Sequence, residues 1–162
     1  MPDTTLPRRS AEEQQRLDAA LTDLFEHKIT FNQTLGMRIK TLALPAPTCR
    51  FDMRPELVGH YVYGRLHGGV ISSVLDAMGG LALMVAIGEK HADEATPQIL
   101  HRFARMGTID LRVDFLRQGI GTHFFASAEV TRLGGRVGST QMRMTTADGT
   151  LIATAAAAYM VS

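Results

Sequence analysis

The chain has 162 residues, 45% hydrophobic and 20% charged, enough for one domain with a sizeable core. Its 17 Lys and Arg nearly cancel 16 Asp and Glu, leaving a net charge of +1 and no basic stripe, which argues against a nucleic-acid binder working by phosphate neutralisation. Cys49 is the only cysteine, which excludes an internal disulfide framework and a multi-cysteine metal site.

In chain order, Met1 to Gln15 carries Asp3, Arg8, Arg9, Glu12 and Glu13 with no apolar run. No secretory leader is expected there, and a cytoplasmic location is the default. Ser10-Ala11-Glu12-Glu13 has the form of a capping box, and Leu17, Leu21, Leu24 and Phe25 follow at helical spacing, predicting an amphipathic helix over 11–28. Met37, Ile39 and Thr41 alternate with Arg38 and Lys40, as do Cys49, Phe51 and Met53 with Arg50, Asp52 and Arg54. Two strands joined through Pro45-Ala46-Pro47 are expected, and Gly59 to Leu66 reads as a loop.

Gly68 to Ile87 holds one charge, Asp76, and is long enough to span a bilayer. Four glycines, two serines and the central acid favour instead the core helix of a water-soluble sheet protein, without membrane insertion. A short helix is expected around 97–105. From Thr108 the period becomes two, with Ile109, Leu111, Val113 and Phe115 on one face and Thr108, Asp110, Arg112 and Asp114 on the other. Phe124 to Val130, Arg136 to Thr146 and Leu151 to Val161 complete a meander, with Gly134-Gly135 and Asp148-Gly149 as hairpin turns of the positive-φ kind. The order predicts an α+β fold in which one antiparallel sheet of five or six strands packs on a long central helix.

On a helical wheel Asp76 shares its face with Gly69, Ser72, Ser73, Gly79, Gly80 and Leu83, while Val70, Val74, Ala77, Leu81 and Met84 form an apolar ridge expected to meet the sheet. A small-residue face around an acid suits a close-packed partner helix or a thin substrate. A purely structural Asp76, satisfied by Ser72, Ser73 or a cation, is the alternative. His67-Gly68-Gly69 places two glycines at a helix start, where free N–H groups can hold an oxyanion. Gly68 and Asp76 are roughly 12 Å apart along a helix axis, too far to serve one carbonyl carbon. Two antiparallel helices would bring them together, so a site shared across a twofold homodimer is expected, with a dimer of dimers as the larger alternative.

His67-Gly68-Gly69 with Asp76, followed by Thr108 to Arg117, resembles the hot-dog-fold acyl-CoA thioesterases of the phenylacetate-pathway (PaaI-like) type. Val130 to Arg136 and Asp148 to Ala153 also fit, and the likeness runs over about 35–160. Within the superfamily the chain is most similar to the YigI-like medium- to long-chain acyl-CoA thioesterases, which also carry an extra N-terminal helix. The resemblance implies a hot-dog domain over 35–162 preceded by a helical extension over 1–34. It implies Asp76 as catalytic carboxylate, Gly68 as oxyanion donor with His67 beside it, and Thr108 as the residue positioning the attacking water. Many relatives carry an Asn before the HGG motif that binds the thioester carbonyl. Here His60 and Tyr61 stand in that loop, and His60 is the available hydrogen-bond donor. Gly69 and Ser72 are the expected substrate contacts, and Arg132 and Arg136 the expected partners of the CoA phosphates.

The six histidines show no metal-ligand spacing, there is no HExxH, CxxC, GxSxG or GxxxxGK[ST], and neither metal nor cofactor is expected. The sequence therefore predicts a hydrolase that cleaves a medium- to long-chain acyl-CoA, with Asp76 as nucleophile or general base. A non-catalytic acyl-CoA or lipid-binding hot-dog module is the alternative. The segment 88–107 is expected to form a lid or to lengthen the acyl tunnel.

Overall fold

The computed structural model describes residues 8–162; the first seven residues, where no secretory leader was expected and where the extension begins, lie outside the described residues. Ser10 caps helix α1 (Ala11–Asp23) by accepting from the Glu13 N–H. A π-helical turn (Leu24–Lys28) continues it, and the Ile29 N–H donates to the Leu24 carbonyl. The expected helix over 11–28 is thus present with a widened last turn. Helix α2 (Thr30–Leu35) was not predicted, because TFNQTL combines a single turn's length with weak helix formers.

Strands β1 (Arg38–Thr41) and β2 (Thr48–Asp52) form the expected hairpin. The stretch read as a loop holds a two-stranded ribbon, β3 (Val58–His60) and β4 (Arg65–Leu66), too short to carry a readable period. Helix α3 (Gly68–Lys90) is followed by α4 (Thr96–Phe103) and by β5 (Gly107–Phe115), β6 (His123–Leu133), β7 (Val137–Thr146) and β8 (Leu151–Met160). The main sheet is antiparallel in the order β1-β2-β6-β7-β8-β5, with β5 at an edge, and α3 packs on it mainly through β6 and β7. This is the predicted α+β hot-dog architecture, with six strands. Of the two meander turns, only Gly149 has positive φ (86°). At Gly134 the constraint is space, since a Cβ would come within 2.7 Å of the Val137 carbonyl oxygen.

The face of α3 turned to the core differs from the predicted ridge. Ile71, Val74, Leu75, Met78, Leu81, Ala82 and Leu83 are buried, whereas Val70, Ala77 and Met84 are only partly so. A helix apolar nearly all round offers several rotations of similar hydrophobicity, and the sheet's side chains choose among them. Gly79 shows the choice. It lies against the sheet, where a Cβ would collide with the Tyr159 hydroxyl and come within 2.8 Å of Thr140 Oγ1. Leu17, Leu21 and Phe25 of the extension belong to the same buried cluster as α3, each contributing roughly 1.5–3 kcal/mol by burial.

Candidate active site

Strand alternation alone would place Thr108 on the same face as Asp110, opposite Leu111. The pairing of β5 with β8 shows otherwise. Thr108 stands opposite Tyr159, Asp110 opposite Ala158 and Leu111 opposite Ala157, so Ile109 is an extra residue in a β-bulge. The bulge turns Thr108 onto the helix-facing side with Leu111 and Val113 and leaves Ile109 59% exposed. There the Thr108 hydroxyl donates to Asp76 Oδ1 at 2.8 Å. Among the described residues, nothing donates to Oδ2 and no cation lies within ion-pair distance of this carboxylate.

The helix backbone at Asp76 is held from the sheet side. Tyr159 Oη donates to the Asp76 carbonyl at 2.8 Å, in the space left by Gly79. Burial, and then the Asp76 charge, push the Tyr159 phenol well above its ordinary range, so it remains a donor at neutral pH. Ser72 and Ser73, considered as partners for the acid, instead donate to the Gly68 and Gly69 carbonyls of their own helix at 2.9 and 2.7 Å. Among the described residues the Asp76 carboxylate is therefore held through Thr108 alone, with its second oxygen free.

Asp76 and Thr108 open onto a cavity of about 290 Å³ whose remaining lining is mostly apolar, including Ala77, Leu81 and Met84 from α3 and Met106 just before β5. Phe25, Ile29 and Phe31 of the extension supply the rest of its apolar wall. Neither these residues nor Tyr159 was expected at the site, and Phe25 was read only as part of the helical stripe. The extension reads as an ordinary amphipathic stripe, and Tyr159 follows an alanine run that carries no positional signal. Segment 88–107 contributes Met106 and Gly107 to the cavity, and it is pinned elsewhere by buried Ile99 and by Glu13 Oε1 accepting from the Thr96 N–H at 2.8 Å.

The helix start forms the second group. His67 Nδ1 accepts from the Gly69 N–H at 2.8 Å, fixing the tautomer with its proton on Nε2. The Val70 and Ile71 N–H groups reach the His67 carbonyl, and among the described residues the Gly68 N–H has no acceptor. One of the two expected glycine donors is thus occupied and one is free. His60 lies close by, because β3 approaches so tightly that a Cβ on Gly59 would fall 2.5 Å from His67 Cα. The His60 ring stacks on Tyr63 (4.9 Å) and Tyr61 (5.9 Å), and its buried Nδ1 has no partner among the described residues. A cleft of about 410 Å³ lined by Arg65, Phe115 and Arg117 adjoins Gly68, another feature the sequence did not single out. Arg132 and Arg136 are exposed beside the β6–β7 turn and line neither this cleft nor the cavity at Asp76.

The model of the thioesterase superfamily matches residues 63–153, which include both the helix start and Asp76 with Thr108. The medium/long-chain acyl-CoA thioesterase YigI of Salmonella typhimurium is 35% identical over 139 residues, covering 86% of this chain and 90% of that protein. The YigI protein of Escherichia coli K12 matches with the same identity and coverage. A crystal structure from Shewanella oneidensis, described as related to the thioesterase superfamily, superposes with a TM-score of 0.87 at 32% identity, covering 95% of this chain and all of that one. The matched span, the relatives and the shared fold agree: this chain belongs to the thioesterase superfamily.

Proposed function

We propose that the protein hydrolyses acyl-CoA thioesters, with Asp76 as the group acting at the carbonyl. One observation carries the reading: a carboxylate with one oxygen held by Thr108 and the other free faces a largely apolar cavity. Asp76 either attacks the thioester carbonyl carbon or takes a proton from the water that does. Direct attack gives a mixed anhydride that water then hydrolyses to restore the carboxylate; in either route the C–S bond breaks, CoA leaves as the thiol, and one water is consumed in forming the free acid. The Gly68 N–H, aligned with the positive end of the α3 dipole, is the oxyanion donor. His60 follows Gly59, which packs against His67, and its buried Nδ1 has no partner among the described residues; this supports His60 as a second contact to the carbonyl.

Gly68 and Asp76 of one chain remain roughly 12 Å apart along α3. The proposal therefore includes an antiparallel homodimer in which Gly68 of one copy meets Asp76 of the other. Two features support it. Strand β5 is a nine-residue edge that exposes Ile109, Phe115 and, just beyond it, Leu116. Gly69, Ser72 and Gly80 leave a small face on α3, and a Cβ at Gly80 would meet nothing within 4 Å. Gly79, first expected on that face, is occupied by the sheet and drops out. Arg132 and Arg136 are assigned to the CoA phosphates, and the relatives' names support medium to long acyl chains.

Hydrolysis of a series from acetyl- to palmitoyl-CoA, alongside the matching pantetheine thioesters, tests the reading. Turnover of the CoA series with higher KM for the pantetheine esters is expected. No turnover on any member would overturn the activity, and equal kinetics on both series would remove the phosphate contacts.

A further inference from the structure

We propose that the N-terminal extension, through Ile29 and Phe31, sets the length of acyl chain the site accepts; this rests on the thioesterase reading above. The cavity at Asp76 is built from two separate parts of the chain. The side bearing the reactive carboxylate comes from α3 and β5, within the span common to the superfamily. The facing apolar wall comes from Phe25, Ile29 and Phe31, more than thirty residues before that span begins. Apart from Asp76 the lining holds no charged side chain, so its natural occupant is an apolar group attached to the carbon on which Asp76 acts, the tail of the acyl chain.

This wall is a fixed piece of structure. Asn32, itself 3% exposed, donates through Nδ2 to the Phe25 carbonyl at 3.0 Å, tying α2 to the π-helical turn. Glu26 Oε1 accepts from the Ile39 N–H at 2.7 Å, tying the same turn to β1. Arg9 Nη2 donates to the Gly88 and His91 carbonyls at 2.6 and 2.8 Å, fastening the front of α1 to the end of α3. Phe25 is buried in the core, whereas Phe31 is 56% exposed although large and apolar. Phe31 therefore has little packing to lose, and its place on the cavity wall accounts for its position. At about 290 Å³ the cavity is at the small end of the range for small-molecule sites, roughly 300–1,000 Å³. Changing one wall residue is thus a substantial change in the room available to a tail.

The test is kcat/KM against acyl length, from butyryl- to palmitoyl-CoA, for the wild type, Phe31→Ala, Ile29→Ala and Phe31→Trp, with thermal unfolding as the folding control. Both alanine variants should move the optimum about two or more carbons longer and raise the long-to-short kcat/KM ratio about tenfold, and Phe31→Trp should move it shorter. An unchanged length profile in the alanine variants, or a loss equal at every length, would overturn the inference while leaving the thioesterase reading intact. A wild type inactive across the whole series would overturn both.

Discussion

At the scale of single residues, the structure separates side chains that hold the fold from those left free to react. Cys49 belongs to the first kind. It is fully buried in β2, and burial pushes its thiol up to about 12 from an ordinary value of 9.0. The folded state thus disfavours the thiolate while the unfolded chain does not. Cys49 favours folding fully below about pH 9, and that contribution declines as pH rises from 9.0 toward about 12. Native protein should resist alkylation at neutral pH and react fully once denatured, and Cys49→Ala should flatten the alkaline fall in stability. Rapid alkylation of the native thiol would contradict the assignment. Asp76, Gly68 and His67 were legible in the sequence because an acid in an apolar run and glycines at a helix start are locally abnormal. Tyr159, which anchors the Asp76 carbonyl, was not, because its role exists only where β8 meets Gly79.

At the scale of elements, the register around the bulge at Ile109 is what brings Thr108 to Asp76. Sequence alternation runs unbroken through Thr108 to Phe115, so nothing in it marks the inserted residue, and Thr108 was placed on the wrong face. Pairing with β8 supplies the missing information. Without Ile109, Thr108-Asp110-Leu111 would alternate simply and Thr108 would keep its place opposite Tyr159, so the contact to Asp76 is tested at Thr108 itself. Loss of a hydrogen bond to a charged group costs about 1.5–3 kcal/mol, so Thr108→Val should lower kcat by roughly 10–100-fold. Wild-type rates in a folded Thr108→Val variant would show that this hydrogen bond does not position Asp76. The same dependence on tertiary partners explains α2 and the β3–β4 ribbon, elements too short for a period to emerge. It also explains α3, whose start and acid were legible but whose buried face was not.

At the scale of the whole molecule, the proposed reaction centre needs two chains to complete it. Gly68 is the first residue of α3, a position that tolerates proline, and the extended backbone of His67 (φ −65°, ψ 138°) suits a following proline. Gly68→Pro therefore removes the N–H with little cost to the helix, and should lower kcat by roughly 10²–10³. Mixed dimers of Gly68→Pro and Asp76→Asn carry one intact pair, so mixing and reassociating the two inactive variants should recover activity. No recovery despite confirmed mixed dimers, or a fully active monomer on sedimentation, would contradict a shared site. The central claim, that Asp76 performs the chemistry, is tested most directly by kcat of Asp76→Asn on the best acyl-CoA substrate. The amide keeps the size of the side chain and an oxygen for Thr108, but can neither attack a thioester nor take a proton from water. The account predicts a folded protein that still binds a non-hydrolysable acyl-CoA analogue and loses roughly 10²–10⁴ in kcat; hydrolysis at the wild-type rate would contradict it and leave Asp76 as part of a binding module.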